Sequence, residues 1–161
     1  MHLLKKCVYV MATAFDRCSF VHCFAGAALG WAFAVAVNGW WPVLINFGIA
    51  VAWEAIELTY AYQNAWNKQV PKMLREILDG GEQFRGDTWL QIASDIFFHT
   101  LTSIAVTAAY VLDGAGTGAI VAVVLMVTSF ALYAVAALCG WCPVSNGGTG
   151  LCGVRWDRDW H

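Results

Sequence analysis

Four ionisable residues stand inside stretches apolar enough to cross a membrane: Glu54 and Glu57 within Pro42–Tyr62, Asp95 and His99 within Trp89–Leu112. Each such group costs roughly 2.5–3.5 kcal/mol on insertion scales, so a chain that keeps them either pairs them with one another or uses them. Their spacing aims them. Glu54 and Glu57 are three residues apart, Asp95 and His99 are four apart, and Asp87, Gln91, Asp95 and His99 form one helical stripe. His22 joins them early in a third apolar run, Ser19–Val37, and Gly26 and Gly30 continue its face, where they allow a neighbouring helix to come close.

Several chemistries suit this set. Carboxylates and an imidazole are hard or borderline ligands, fit for zinc, manganese, iron or magnesium, which makes His22, Glu54, Glu57, Asp95 and His99 candidate ligands of a divalent metal ion. The di-iron arrangement of Glu-x-x-His on two helices, with further Glu on two others, is absent. Proton or ion handling is an equal option, since carboxylates and His are the side chains that relay protons within membranes. Read as an active site, Glu54, Glu57, Asp95 and His99 are its catalytic candidates. A b-type haem between His22 and His99 is disfavoured by their different depths. The bland alternative is a buried network of salt bridges and hydrogen bonds that holds three helices in register.

The elements that position these groups follow from composition. With 60% hydrophobic and 12% charged residues, nine Trp among 161 residues and a mean hydropathy of +0.59, the chain is unlike an ordinary soluble domain. Four runs, near Ser19–Val37, Pro42–Tyr62, Trp89–Leu112 and Gly118–Leu138, are long enough to cross a hydrocarbon core as helices. None alternates strictly, as barrel strands would, and backbone groups in lipid must bond internally. The expected fold is therefore an all-α membrane domain of four transmembrane helices spanning residues 1–161.

Charge sets the topology. All nine basic residues lie in three segments: Lys5, Lys6 and Arg17 before the first run, Lys68, Lys72, Arg75 and Arg85 between the second and third, and Arg155 and Arg158 after the fourth. The connections Asn38–Trp41 and Asp113–Thr117 hold none, so the positive-inside rule places both termini in the cytoplasm. The short apolar stretch Cys7–Phe15 reads as an interfacial lead-in rather than a signal peptide. A net charge of −2 argues against nucleic acid as a partner. In the long inner connection, Val70, Met73, Leu74, Ile77 and Leu78 recur at helical spacing between Pro71 and Gly80, opposite Lys72, Arg75, Glu76 and Asp79. This predicts a short amphipathic helix on the cytoplasmic membrane surface or on the end of the bundle. On this topology His22, Glu54, Glu57, Asp95 and His99 all fall in or near the cytoplasmic half of the bilayer.

A second cluster lies in the tail, residues 139–161. Cys139-Gly-Trp-Cys142, Cys152 and His161 offer three thiolates and an imidazole, the donor set of a zinc knuckle, or a redox pair, or ordinary thiols in the reducing cytoplasm. Asn146-Gly-Gly-Thr-Gly150 matches no phosphate loop, and Trp141, Trp156 and Trp160 among Arg155 and Arg158 suit a membrane interface or a partner protein.

The polar residues also carry a resemblance. Phe15-Asp16-Arg17 with His22 and Gly26, Trp53-Glu54-x-x-Glu57, and Gly86-Asp87-Thr88-Trp89 with Asp95 resemble, in order, the motifs of VanZ-like and related YjdF-like bacterial inner-membrane proteins. The likeness covers residues 15–103. It implies a small multi-pass protein of the inner membrane with a polar site, in a family whose founding member is associated with glycopeptide resistance. Two functions stay open: a site of its own that acts on a lipid or isoprenoid head group or binds a metal ion or proton, or an accessory subunit among other membrane subunits. The topology has a direct test. Membrane-impermeant thiol labelling of intact cells is expected to reach cysteine probes in Asn38–Trp41 and Asp113–Thr117 and to miss Cys152; labelling of native Cys152 would overturn it.

Overall fold

The structure, a computed structural model, describes residues 17–71, 89–138, 149–150 and 154–155. It is all-helical apart from one minimal strand pair. In chain order the helices are α1 (Arg17–Ala36), α2 (Trp41–Glu57), α3 (Tyr60–Gln69), α4 (Trp89–Asp113) and α5 (Ala115–Leu138). Strands β1 (Thr149–Gly150) and β2 (Val154–Arg155) pair antiparallel, with Thr149 opposite Arg155. The expected inner helix after Pro71 and the Cys139, Cys142, Cys152 and His161 set lie outside the described residues.

Among the described residues, three helices are long and apolar enough to cross a membrane: the stretch Ser19–Ala36 of α1, Trp89–Asp113 and Ala115–Leu138. The expected second span, Pro42–Tyr62, is not one straight helix. It ends at Glu57, and the chain resumes as α3 at an angle of 75°. Its 17 residues reach about 25 Å, short of the roughly 30 Å core. Taken with α3 as one bent unit, α2 makes a fourth candidate. The cause is Thr59, whose hydroxyl donates to Ile56 O (2.7 Å) and accepts from Tyr62 N (3.2 Å), so that it closes one helix and caps the next. Gln63 Nε2 donates to Glu57 O at 3.2 Å, and around the corner Trp53 meets Tyr62 edge-on while Tyr62 stacks on Trp66. The last connection is tighter than the expected Asp113–Thr117. α4 runs through Asp113 and α5 starts at Ala115, with Gly114 alone between them at φ 90°, a conformation that favours glycine.

The packing inverts that of a soluble protein. Large apolar side chains point outward, among them Trp41, Leu44, Phe97, Ile120, Phe130 and Leu138 (88% exposed), while most buried positions are small or polar, Phe20, Ile92 and Val106 being the larger apolar ones. Ala27, Val106 and Ala122 form the centre of an apolar core between α1, α4 and α5. Such an arrangement is stable where the solvent is itself apolar and helices associate through small residues and interhelical hydrogen bonds. These helices are therefore those of an integral membrane protein.

α1 and α4 run parallel in a fixed register: His22 lies beside Asp95, Gly26 against His99 and Gly30 against Ser103. A Cβ at position 26 would be driven into the His99 carbonyl and the Thr102 hydroxyl. α2 leans on α4 through a stripe of every fourth residue, Pro42, Asn46, Ala50 and Glu54. A paired substitution checks this packing. Gly26→Ala is expected to destabilise the protein by about 1–3 kcal/mol, the scale of overpacking. Gly48→Ala, whose Cβ meets nothing within 4 Å, should be neutral or gain up to about 1 kcal/mol of helix propensity. Thermal melts in detergent read both, and equal melts for the two variants would contradict the close approach.

Candidate metal and proton site

Each helix brings its polar group to the same end of the bundle. His22 is about one turn into α1, Asp95 is under two turns into α4, and Glu54 is about one turn from the end of the antiparallel α2. All three are buried, Glu54 at 2% and Asp95 at 1% exposure. His22 Nε2 lies 3.5 Å from Glu54 Oε1 and 3.8 Å from Asp95 Oδ2. One ligand atom from each lies within 4.8 Å of the others. Ser19, one helical turn before His22, donates its hydroxyl to Asp95 Oδ1 at 2.7 Å and so fixes the plane of that carboxylate.

His99 stands one turn deeper. Its ring is edge-on to that of His22, with centroids 6.2 Å apart, and its Nε2 lies 3.2 Å from Asn46 Oδ1. Asn46 Nδ2 donates to Pro42 O at 3.1 Å, which leaves Oδ1 to accept. The network thereby assigns the Nε2–H tautomer to His99 and leaves Nδ1 as its basic nitrogen.

Of the five residues singled out by sequence, the structure brings His22, Glu54 and Asp95 into one group and places His99 next to it. Glu57 lies elsewhere. One turn past Glu54 and rotated off the Pro42–Glu54 stripe, it sits half-buried at the helix corner, where Tyr62 Oη approaches its Oε1 at 3.5 Å. Asp87 lies outside the described residues.

Two participants escaped the sequence reading. Ser19 and Asn46 carry no formal charge and so gave no signal as costly groups in an apolar run. Periodicity holds the signal: Ser19 precedes His22 by three residues, and Asn46 precedes Glu54 by two turns on the same stripe.

Chemically, the group can hold a cation or share protons among two carboxylates and a ring nitrogen. Its dependence on Ser19 is measurable. Ser19→Ala removes a hydrogen bond to an acidic group, an interaction worth about 1.5–3 kcal/mol, and is expected to lower the melting temperature in detergent by several degrees. An unchanged melt would mean that Asp95 is oriented by something else. Compared with family models, curated proteins and solved structures, the chain matches none.

Proposed function

We propose that this chain is a membrane protein of four helical passes, with both termini cytoplasmic, that binds a divalent metal ion through His22, Glu54 and Asp95. One observation carries the reading. Ligands on a tetrahedral ion at bonds of about 2.1 Å stand roughly 3.4 Å apart, and His22 Nε2 already lies 3.5 Å from Glu54 Oε1 and 3.8 Å from Asp95 Oδ2. A cation could be taken up with little rearrangement. One imidazole and two carboxylates suit zinc, manganese or ferrous iron. The Ser19 hydrogen bond to Asp95 is the kind of outer support that orients a ligating carboxylate.

Three protein ligands leave coordination open, as in hydrolytic zinc sites. The group lies within about two turns of the helix ends, a depth that a phosphate oxygen of a lipid or isoprenoid head group in the adjoining leaflet can reach. A head group of that class is therefore the proposed substrate. The basic residues of the flanking segments support a cytoplasmic location for this end of the bundle. The resemblance to VanZ-like inner-membrane proteins adds weight, since the motifs that carry it contain all three ligands.

Charge-neutral, nearly isosteric substitutions separate this reading from a purely structural network. Glu54→Gln and Asp95→Asn keep hydrogen-bonding capacity, so both variants should purify folded, yet they bind a dication poorly. Elemental analysis of protein purified in detergent is expected to find close to one equivalent of metal in the wild type. In each variant that content should fall roughly tenfold or more, the scale on which ligand-shell changes act. Full metal content in both variants would reduce the cluster to scaffolding, and co-purifying larger subunits would then favour an accessory role.

A further inference from the structure

Glu57 does not join the buried cluster, and its neighbours are aromatic. Trp53 precedes it by four residues on α2, so indole and carboxylate share one helix face, with Cβ atoms about 5–6 Å apart. Beyond the corner, Tyr62 and Trp66 occupy successive turns of α3. The Tyr62 ring meets the Trp53 indole at 76° with centroids 5.9 Å apart, and its hydroxyl lies 3.5 Å from Glu57 Oε1. Trp66 stacks on Tyr62 at 22° and 6.0 Å. The Thr59 cap and the Gln63 bond to Glu57 O hold the two helices at the angle that brings these rings together. Trp53 is 44% exposed, so its indole stays open to the surroundings.

Each part of this set attracts the same kind of ligand. The face of an aromatic ring is negative and draws a cation, Trp most strongly, and aromatic cages recognise alkylammonium groups in this way. The Glu57 carboxylate adds a full charge of the same sign. Location narrows the source of the cation. α3 carries Gln63, Asn64, Asn67 and Lys68, too polar for hydrocarbon, and leaves α2 at 75°, so with α2 upright it lies along the membrane surface. Aromatic residues that only anchor a helix at that level need no carboxylate among them.

We propose that Trp53, Glu57 and Tyr62, with Trp66 bracing Tyr62, bind the ammonium group of a phospholipid head group of the ethanolamine or choline type. The cation sits against the Trp53 indole, with Glu57 as its counter-charge and Tyr62 as a second wall. Glu57 lies three residues past Glu54 toward the near end of the bundle, a rise of about 4.5 Å. That rise is comparable with the span from phosphate to ammonium across the two-carbon bridge of such a head group. A lipid held by its ammonium would then turn its phosphate toward His22, Glu54 and Asp95; this last step rests on the metal reading, whereas the ammonium site does not.

The test is native mass spectrometry of the full chain in detergent, with phosphatidylethanolamine, phosphatidylcholine and phosphatidylglycerol of matched acyl chains. The wild type should retain the two ammonium lipids roughly tenfold over phosphatidylglycerol. Trp53→Leu, which keeps an apolar side chain but loses the ring face, and Glu57→Gln should each cut that preference severalfold to tenfold, the scale of a desolvated cation–π contact. Trp53→Phe should keep most of it. Trp53→Leu alone carries the test if Glu57→Gln does not purify. A wild type that takes all three lipids equally, or a preference untouched in Trp53→Leu, would overturn the site. Full displacement of phosphatidylcholine by an equal concentration of choline would assign the site to a free solute and overturn the lipid assignment. Metal content is measured on the same samples. A head-group preference in protein that binds no metal sinks the metal reading and leaves the ammonium site, and stoichiometric metal in a chain that does not distinguish head groups does the reverse.

Discussion

At Gly26 the backbone of α1 touches the backbone of α4, with the His99 carbonyl where any side chain would go. That approach fixes how far α1 can slide or rotate against α4, because moving by one residue would bring Ala25 or Ala27 into the same space. One turn toward the near end, the register sets His22 beside Asp95; one turn the other way, it sets Gly30 beside Ser103. The Ser19 hydrogen bond to Asp95 falls into place with no further adjustment. Chemistry and packing thus share one constraint, and a side chain at position 26 would disturb both.

The apolar surroundings explain why the remaining contacts are polar. Lipid tails are as apolar as leucine, so burying a leucine between helices gains little there, whereas a hydrogen bond between helices has no competitor in the solvent. α2 illustrates this. Leu44, Phe47, Val51 and Trp53 all point outward, and the side that meets α4 carries Asn46 and Glu54 among small residues. Its docking rests on Asn46 with His99 and Glu54 with His22. α1, α4 and α5, by contrast, share an apolar centre at Ala27, Val106 and Ala122. α4 is the hub, apolar toward one side and polar toward the other.

Much of this was legible in the residues. Hydropathy located α1, α4 and α5 to within a few residues, because helices in lipid must be continuous and apolar. Depth along those runs was enough to bring His22, Glu54 and Asp95 to one level, since the rise per residue is fixed. The corner at Thr59 was not legible. Leu58-Thr59-Tyr60 is as apolar as its neighbours, and a Thr that caps a helix looks in sequence like a Thr within one. Nor was the parting of Glu57 from Glu54 legible: spacing puts the two carboxylates one turn apart on the same helix, but only Glu54 lies on the stripe facing α4. Ser19 and Asn46 were invisible for another reason. A search for costly charges overlooks neutral groups whose importance comes entirely from their partners.

Charge balance ties metal binding at the cluster to proton release. When its imidazole is neutral and both carboxylates are ionised, the cluster's three side chains carry two negative charges, which a low-dielectric site holds only when they are balanced. Two protons or one divalent cation neutralise it equally well. An ion that binds there therefore displaces protons, as ligands must be deprotonated to coordinate.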